Sequence, residues 1–288
     1  LHKTEENAYF EHYSLVKMNS SKVAPFKDLF LLLLLFSLAG NSNAQVGISV
    51  SPPRLYYELN PGQTGSNSIS VSNVSTKHTL NLAITVGDWE YDSLGENVML
   101  DAGNSSISSA SWITVNQNYF SLKPGESKDI QIIMSTPRDV KNTQPVHTAL
   151  LYITQMNPTD DVNNAGANIK VNVRSAVKVY HRISLPKIQK IEIQNLLYNK
   201  EKKTIELYFQ NQSNIWLDGG IFIDLLNNQT GKQIRLNPIA FYTLPGNKRQ
   251  VSISVPNDLT KGKYTATVII DHEDQNNLEA AELSFTYE

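Results

Sequence analysis

From residue 45 onward the sequence is cut into short runs rich in β-branched and aromatic residues, separated by Gly, Pro, Asn and Asp at intervals of roughly ten residues. That rhythm leaves no room for a long helix and restricts the chain to antiparallel sheets packed face to face. Cysteine is absent, so disulfides and thiolate metal sites cannot staple such sheets, and each layer pair must rest on its own apolar core. A cysteine nucleophile and a lipidated cysteine are excluded with them. At 288 residues the chain exceeds one ordinary sandwich and suits two, of about 100 to 140 residues each.

Candidate strands fall at 47–59, 66–73, 80–89, 112–116, 127–134, 146–156 and 169–182, and then at 187–198, 204–211, 216–226, 233–242, 249–255, 263–272 and 279–287. Asn60-Pro61-Gly62 and Lys123-Pro124-Gly125 carry turn chemistry between strands. Leu185-Pro186 marks the joint, because proline removes a ladder donor and holds the preceding residue extended. The polar stretches 95–111 and 157–168 are expected to be loops. The expected fold is all-β, with two immunoglobulin-like β-sandwich domains in tandem over 45–184 and 185–288.

The amino-terminal part predicts export. Lys22 and Lys27 precede an apolar run over 29–39, and Ser42-Asn43-Ala44 offers small residues for cleavage before Gln45. Residues 18–44, starting at Met18, are expected to be a signal peptide cleaved after Ala44, with 1–17 as upstream translation. The apolar run is about half the length of a membrane-spanning helix, so no span is expected in the mature form.

Charge and motifs exclude more than they assign. Lysine plus arginine total 25 against 27 for aspartate plus glutamate, which leaves no field to attract nucleic acid or anionic lipid. His78, His147, His181 and His272 are scattered over separate segments with no metal-ligand spacing, and each is expected to be structural or solvated. Asp271-His272-Glu273-Asp274 reads as a solvated hairpin turn and Asp160-Asp161 as a solvated pair. No phosphate loop, nucleophile elbow or framed carboxylate pair is present. Neither an enzyme, nor a cofactor, nor a metal is expected. Trp89, Trp112 and Trp216 are expected in cores, the alternative being stacking platforms of a carbohydrate-binding or hydrolytic sandwich.

One segment stands out. Over 169–182, Ile169, Val171, Val173, Val177 and Val179 alternate with Lys170, Asn172, Arg174, Lys178 and Tyr180, a long two-faced strand with Ser175 as a small residue on the apolar side. A half-buried strand with no binding role has the same pattern.

With this segment the chain resembles, over most of its mature sequence, the periplasmic chaperones of chaperone/usher pilus assembly, PapD-like proteins of two immunoglobulin-like domains set in a boomerang. Ile169, Val171, Val173, Lys178, Tyr180 and Arg182 keep the order of that family's last strand of domain one. Arg54, within Ser51-Pro52-Pro53-Arg54-Leu55-Tyr56-Tyr57, fits the arginine of its first strand, and Leu150-Leu151-Tyr152-Ile153 resembles the preceding strand. The resemblance implies a chaperone that stabilises pilus, fimbrial or surface-adhesin subunits by donor-strand complementation. Ile169, Val171 and Val173 would be the donors, and Arg54 and Lys178 would hold the subunit's terminal carboxylate. It further implies a periplasmic location, an outer-membrane usher as partner, a self-capping homodimer before a subunit binds, and, from the length of 157–168, the short-loop type of rod pili. Arg182 would join an ionic contact between domains, but Pro145-Val146-His147-Thr148 lacks the family's acid there. The alternative is a structural or interaction module of a surface assembly that shares the two-sandwich fold.

Overall fold

The computed structural model describes residues 47–140, 144–162, 168–272 and 278–288. The expected signal peptide, its cleavage point and residues 1–17 lie outside the described residues, as do Glu273 and Asp274.

Two sandwiches follow one another. The first contains β1 (Ile48–Ser51), β2 (Arg54–Glu58), β3 (Thr64–Asn73), β4 (Leu80–Tyr91), β5 (Asn97–Leu100), β6 (Ile113–Val115), β7 (Tyr119–Leu122), β8 (Ser127–Ser135), β9 (Val146–Gln155), β10 (Thr159–Val162), β11 (Asn168–Val171) and β12 (Arg174–Arg182). One sheet runs β1-β3-β8-β6, the other β2-β12-β9-β4-β5 with β7 also on β4, and β10-β11 form a separate ribbon. The second contains β13 (Ile191–Asn199), β14 (Thr204–Asn211), β15 (Leu217–Asn227), β16 (Gln233–Arg235), β17 (Ile239–Thr243), β18 (Lys248–Ser254), β19 (Gly262–Asp271) and β20 (Glu279–Tyr287). Its sheets are β13-β14-β18 and β16-β15-β19-β20, with β17 also on β15.

Alternation explains most of this. Along β19 every second residue from Tyr264 to Ile270 is buried, and these side chains meet Leu207, Phe209, Ile221, Ile223 and Phe241 in the second core. The first core gathers Ile69, Val71, Leu82, Leu122, Ile130, Leu151, Val177 and Val179. Each such side chain contributes about 1.5–3 kcal/mol on burial. β9 departs from alternation and is buried along nearly its whole length. Ala149, Leu151 and Ile153 enter the first core, whereas Leu150 and Tyr152 enter a third cluster with Trp89, Tyr180 and Leu244. Leu244 follows β17, so this cluster joins the two sandwiches.

Several expectations need correction. The single expected strand 47–59 is two strands in different sheets, parted at Ser51-Pro52-Pro53, where the Ser51–Pro52 bond is cis. The expected loop 95–111 contains β5 and a 3-10 turn at Ala110–Trp112, and 157–168 contains β10. The first owes its order to Asp88. This buried carboxylate accepts from Gly103 and Ser105 N–H at 2.7 and 3.1 Å and from Ser108 Oγ at 2.8 Å. The segment 233–242 splits into β16 and β17, and β7 is a strand the sequence rhythm did not reveal.

The histidines are not all scattered. His147 and His181 face each other across β9 and β12, with ring centroids 5.5 Å apart and Trp112 against both. Both are buried, as is His272. His181 Nε2 lies 2.9 Å from the Leu59 carbonyl, while Nδ1 of both rings lacks a partner among the described residues. Burial first, then the neighbouring His181, pushes the His147 pKa down to about 4. Native His147 is thus neutral where the unfolded chain begins to protonate. Its contribution to stability is complete above pH 6.5 and is lost as pH falls towards 4, a change of about 3 kcal/mol. Urea titrations of wild type and His147→Leu should diverge in slope across that window, with the variant flatter. Parallel curves would refute the assignment.

Candidate functional site

β2 and β12 run parallel, with Arg54 opposite Lys178, Tyr56 opposite Tyr180 and Glu58 opposite Arg182. Leu55, Tyr57, Val177 and Val179 point into the first core, so the three pairs share the opposite face. They form successive tiers. The tyrosine rings stack at 5.2 Å, and Trp216 of the second sandwich packs on both, at 5.5 Å from Tyr56 and 5.1 Å from Tyr180. Arg182 Nη2 reaches Glu58 at 2.7 Å, Arg182 Nε donates at 3.0 Å, and Ser184 Oγ donates to the same carboxylate at 2.8 Å. The Arg182 hydrogen bond holds the Glu58 carboxyl below its ordinary range. Arg182 thus has an acid in its own sheet, on β2, and both residues line a groove with Lys187, Ile215 and Trp216.

The cations of the first tier are held by aromatics. The Arg54 guanidinium lies 4.7 Å from the ring centre of Tyr242, and hydrogen bonding to the Tyr242 side chain raises its pKa further against the opposing effect of burial. Lys178 Nζ sits 3.9 Å from the ring centre of Trp89 and 4.3 Å from that of Tyr91. It donates to Tyr91 Oη at 3.0 Å and to Asn97 Oδ1 at 2.5 Å. Burial, then the charge of Arg54, pushes the Lys178 pKa down to about 8. Around neutral pH both groups are charged. Neither is ion-paired among the described residues. The cleft beside them is lined by Arg54, Tyr56, Tyr91, Tyr180, Trp216 and Tyr242, with Asp218 as its one acid among the described residues, and two cations without an ion pair there suit a carboxylate.

The strand edge opens at the same place. β2 pairs with β12 only over Lys178–Arg182, and Lys178 N–H donates to the Pro53 carbonyl at 3.2 Å. Ahead of Arg54 the chain has crossed to the other sheet. No strand among the described residues pairs with Arg174–Val177 on that side. By the alternation of a ladder, the backbone groups of Arg174 and Ala176 point the same way as those of Lys178.

The expected uninterrupted strand 169–182 is two strands, β11 and β12, broken at Asn172-Val173. Neighbouring side chains cause the break. Asn157 accepts from Asn81 N–H at 2.7 Å and donates to the Thr79 carbonyl at 2.9 Å, and Met156 N–H donates to the Asn81 carbonyl. These bonds draw the end of β9 towards β4. Gln155 closes the gap, since its N–H donates to the Val173 carbonyl at 2.9 Å while its Oε1 accepts from Val173 N–H at 3.2 Å. Of the expected donors, Ile169 is exposed and Val171 half-buried, both on β11, while Val173 packs partly against the first core. The exposed Lys170–Asp160 pair at 3.4 Å contributes little to holding the ribbon.

Sequence reasoning placed Arg54 and Lys178 but missed what holds them, namely Tyr91, Asn97 and Tyr242. Trp89 and Tyr91 carried a faint signal, two aromatics at strand spacing; Asn97 and Tyr242 carried none. Among the described residues no group of three or more His, Asp and Glu could hold a metal.

The fold is similar to solved chaperone structures. A chain of the Salmonella enterica SafA pilin–SafB chaperone complex is 15% identical at a TM-score of 0.45, covering 83% of this chain and 97% of that one. The E. coli chaperone DraB is 16% identical at a TM-score of 0.44, covering 83% and 99%. A chain of the CsuC–CsuE chaperone–tip adhesion subunit complex of Acinetobacter baumannii is 12% identical at a TM-score of 0.44, covering 82% and 97%. No family model and no curated protein matches the chain.

Proposed function

We propose that this chain is a periplasmic chaperone that holds pilus, fimbrial or adhesin subunits by donating a strand, with no covalent chemistry. A subunit of that kind is a sandwich lacking one strand, so an apolar groove and a row of unpaired backbone groups lie open and aggregate. The chaperone's β11–β12 edge fills the groove with Ile169, Val171 and Val173, while Arg54 and Lys178 bind the terminal carboxylate. Affinity comes from the apolar pairing and register from the anchor, because a slip of one residue turns every side chain to the wrong face. The observation that carries this reading is the coincidence of two cations that have no ion-pair partner among the described residues with the point where the β12 edge loses its partner strand.

The proposal includes export by a signal peptide over 18–44, a division into immunoglobulin-like domains at 184/185, and delivery of the subunit to an outer-membrane usher. In the free protein a second copy would cover the edge. Arg182 would stiffen the cleft through Glu58.

Affinity capture from periplasm should recover a small exported β-protein in a one-to-one complex. Its affinity should be flat up to about pH 8 and then fall roughly tenfold per pH unit, as Lys178 loses the proton that the carboxylate needs. Failure to recover such a partner, or an affinity indifferent to pH between 7 and 9.5, would count against the reading.

A further inference from the structure

Arg249, on β18, is 6% exposed. Its guanidinium donates in two directions, from Nη2 to the Leu94 carbonyl at 3.0 Å and from Nη1 to the Tyr242 carbonyl. Leu94 lies in the turn between β4 and β5, and those two strands supply Tyr91 and Asn97 to the Lys178 ammonium. Tyr242 belongs to β17, and its ring lies beneath Arg54. The neighbouring Gln250 N–H adds a bond of 2.7 Å to the Ser93 carbonyl in the same turn. The turn is shaped around the guanidinium: Gly95 has φ of +89°, and a Cβ there would stand 1.8 Å from Nη2. No carboxylate pairs with Arg249 among the described residues. Asp92 and Glu96 of the hairpin attract the guanidinium only from beyond ion-pair distance, so its direct bonds go to backbone carbonyls beside the supports of the two anchor cations.

We propose that Arg249 is the positioning residue of the cation pair, one guanidinium fixing both the strand beneath Arg54 and the hairpin beside Lys178. The purpose of that positioning rests on the carboxylate-anchor reading, but the positioning itself does not. It gives the second sandwich a role at the site: without it, Lys178 loses its orientation although no residue of the first sandwich has changed.

Pulse acetylation of lysines, read residue by residue by mass spectrometry across pH 6 to 11, tests this on the whole mature chain. Wild-type Lys178 should react with a midpoint of about 8. In Arg249→Met the hairpin relaxes and the ammonium regains water, so the midpoint should rise by about one unit or more. Arg249→Lys, which keeps one donor, should fall between, and Lys248→Met, one residue away and exposed, should leave it unchanged. If Arg249→Met does not fold, Arg249→Lys, which cannot bridge both carbonyls, carries the test and should still show a raised midpoint. A folded Arg249→Met, or in its place Arg249→Lys, with the wild-type midpoint overturns the proposal. A separate arm asks whether acetate, but not acetamide, protects wild-type Lys178. Loss of that contrast removes the anchor reading and leaves the positioning role standing, whereas an intact contrast with unmoved variant midpoints does the reverse.

Discussion

Arg54→Ala and Lys178→Met should each weaken subunit binding by about 2–5 kcal/mol, roughly thirtyfold to several thousandfold, while leaving the free protein folded. The loss is large because truncating one member of a partly desolvated charge pair leaves the other charge without its partner. The fold is spared for local reasons. Arg54 gives up a cation–aromatic contact with Tyr242 at 4.7 Å, worth about 0.5–1 kcal/mol at an accessible site. At Lys178 methionine keeps the stem against Trp89 and Tyr91 and places a polarisable sulfur near the rings, and Asn97, being exposed, can turn its amide to water. Lys178→Glu is the poorer test, because it would set a carboxylate against the negative faces of those rings and disturb the hairpin as well as the anchor. Isothermal titration with a purified subunit, beside thermal melts of each variant, reads both quantities. Retained affinity in both variants would remove the anchor role.

What the sequence could reveal about this site divides along the range of the interactions involved. Strand spacing exposed the alternation of Lys178 with Val177 and Val179, because period two is a local property of the chain, whereas Arg54 stood out only through the family resemblance. The order of tiers on the shared face, with Tyr56 on Tyr180 and Glu58 on Arg182, needs the parallel register of β2 and β12, and residues so far apart give no local hint of it. The missing acid near Val146 left Arg182 without a visible partner, although Glu58 stood in the strand that pairs with it. The His147–His181 contact is hidden for the same reason. The break at Asn172-Val173 is a different matter: the apolar alternation continues straight through it, and the interruption comes from Gln155 and Asn157, polar side chains that outcompete the ladder. β5 escaped notice because its apolar residues, Val98, Met99 and Leu100, are only three at the start of an otherwise polar stretch, and Asn97, its first residue, is what holds Lys178.

That break alters what donor substitutions should do. Ile169→Asp with Val171→Asp should reduce subunit binding by about 3–6 kcal/mol, more than a hundredfold, since each side chain contributes about 1.5–3 kcal/mol when buried in a groove and an aspartate there would be an unpaired buried charge. The free protein should melt within a few degrees of wild type, because these residues sit on the β10–β11 ribbon and Ile169 is exposed. Val173→Asp should behave otherwise. Val173 packs against the first core and exchanges backbone and side-chain hydrogen bonds with Gln155, so the charge would damage the chaperone itself, with a fall of about 1–3 kcal/mol in unfolding free energy before any subunit is added. Comparing urea midpoints with capture yields for the two variants separates donation from scaffolding. If the Ile169/Val171 double variant captured its subunit normally, the donor strand would be confined to the open edge of Arg174–Val177, and the ribbon would be a spacer rather than part of the groove filling. If it lost the subunit while Arg54→Ala did not, the apolar pairing would set register unaided, and the cations would serve some other ligand of the cleft.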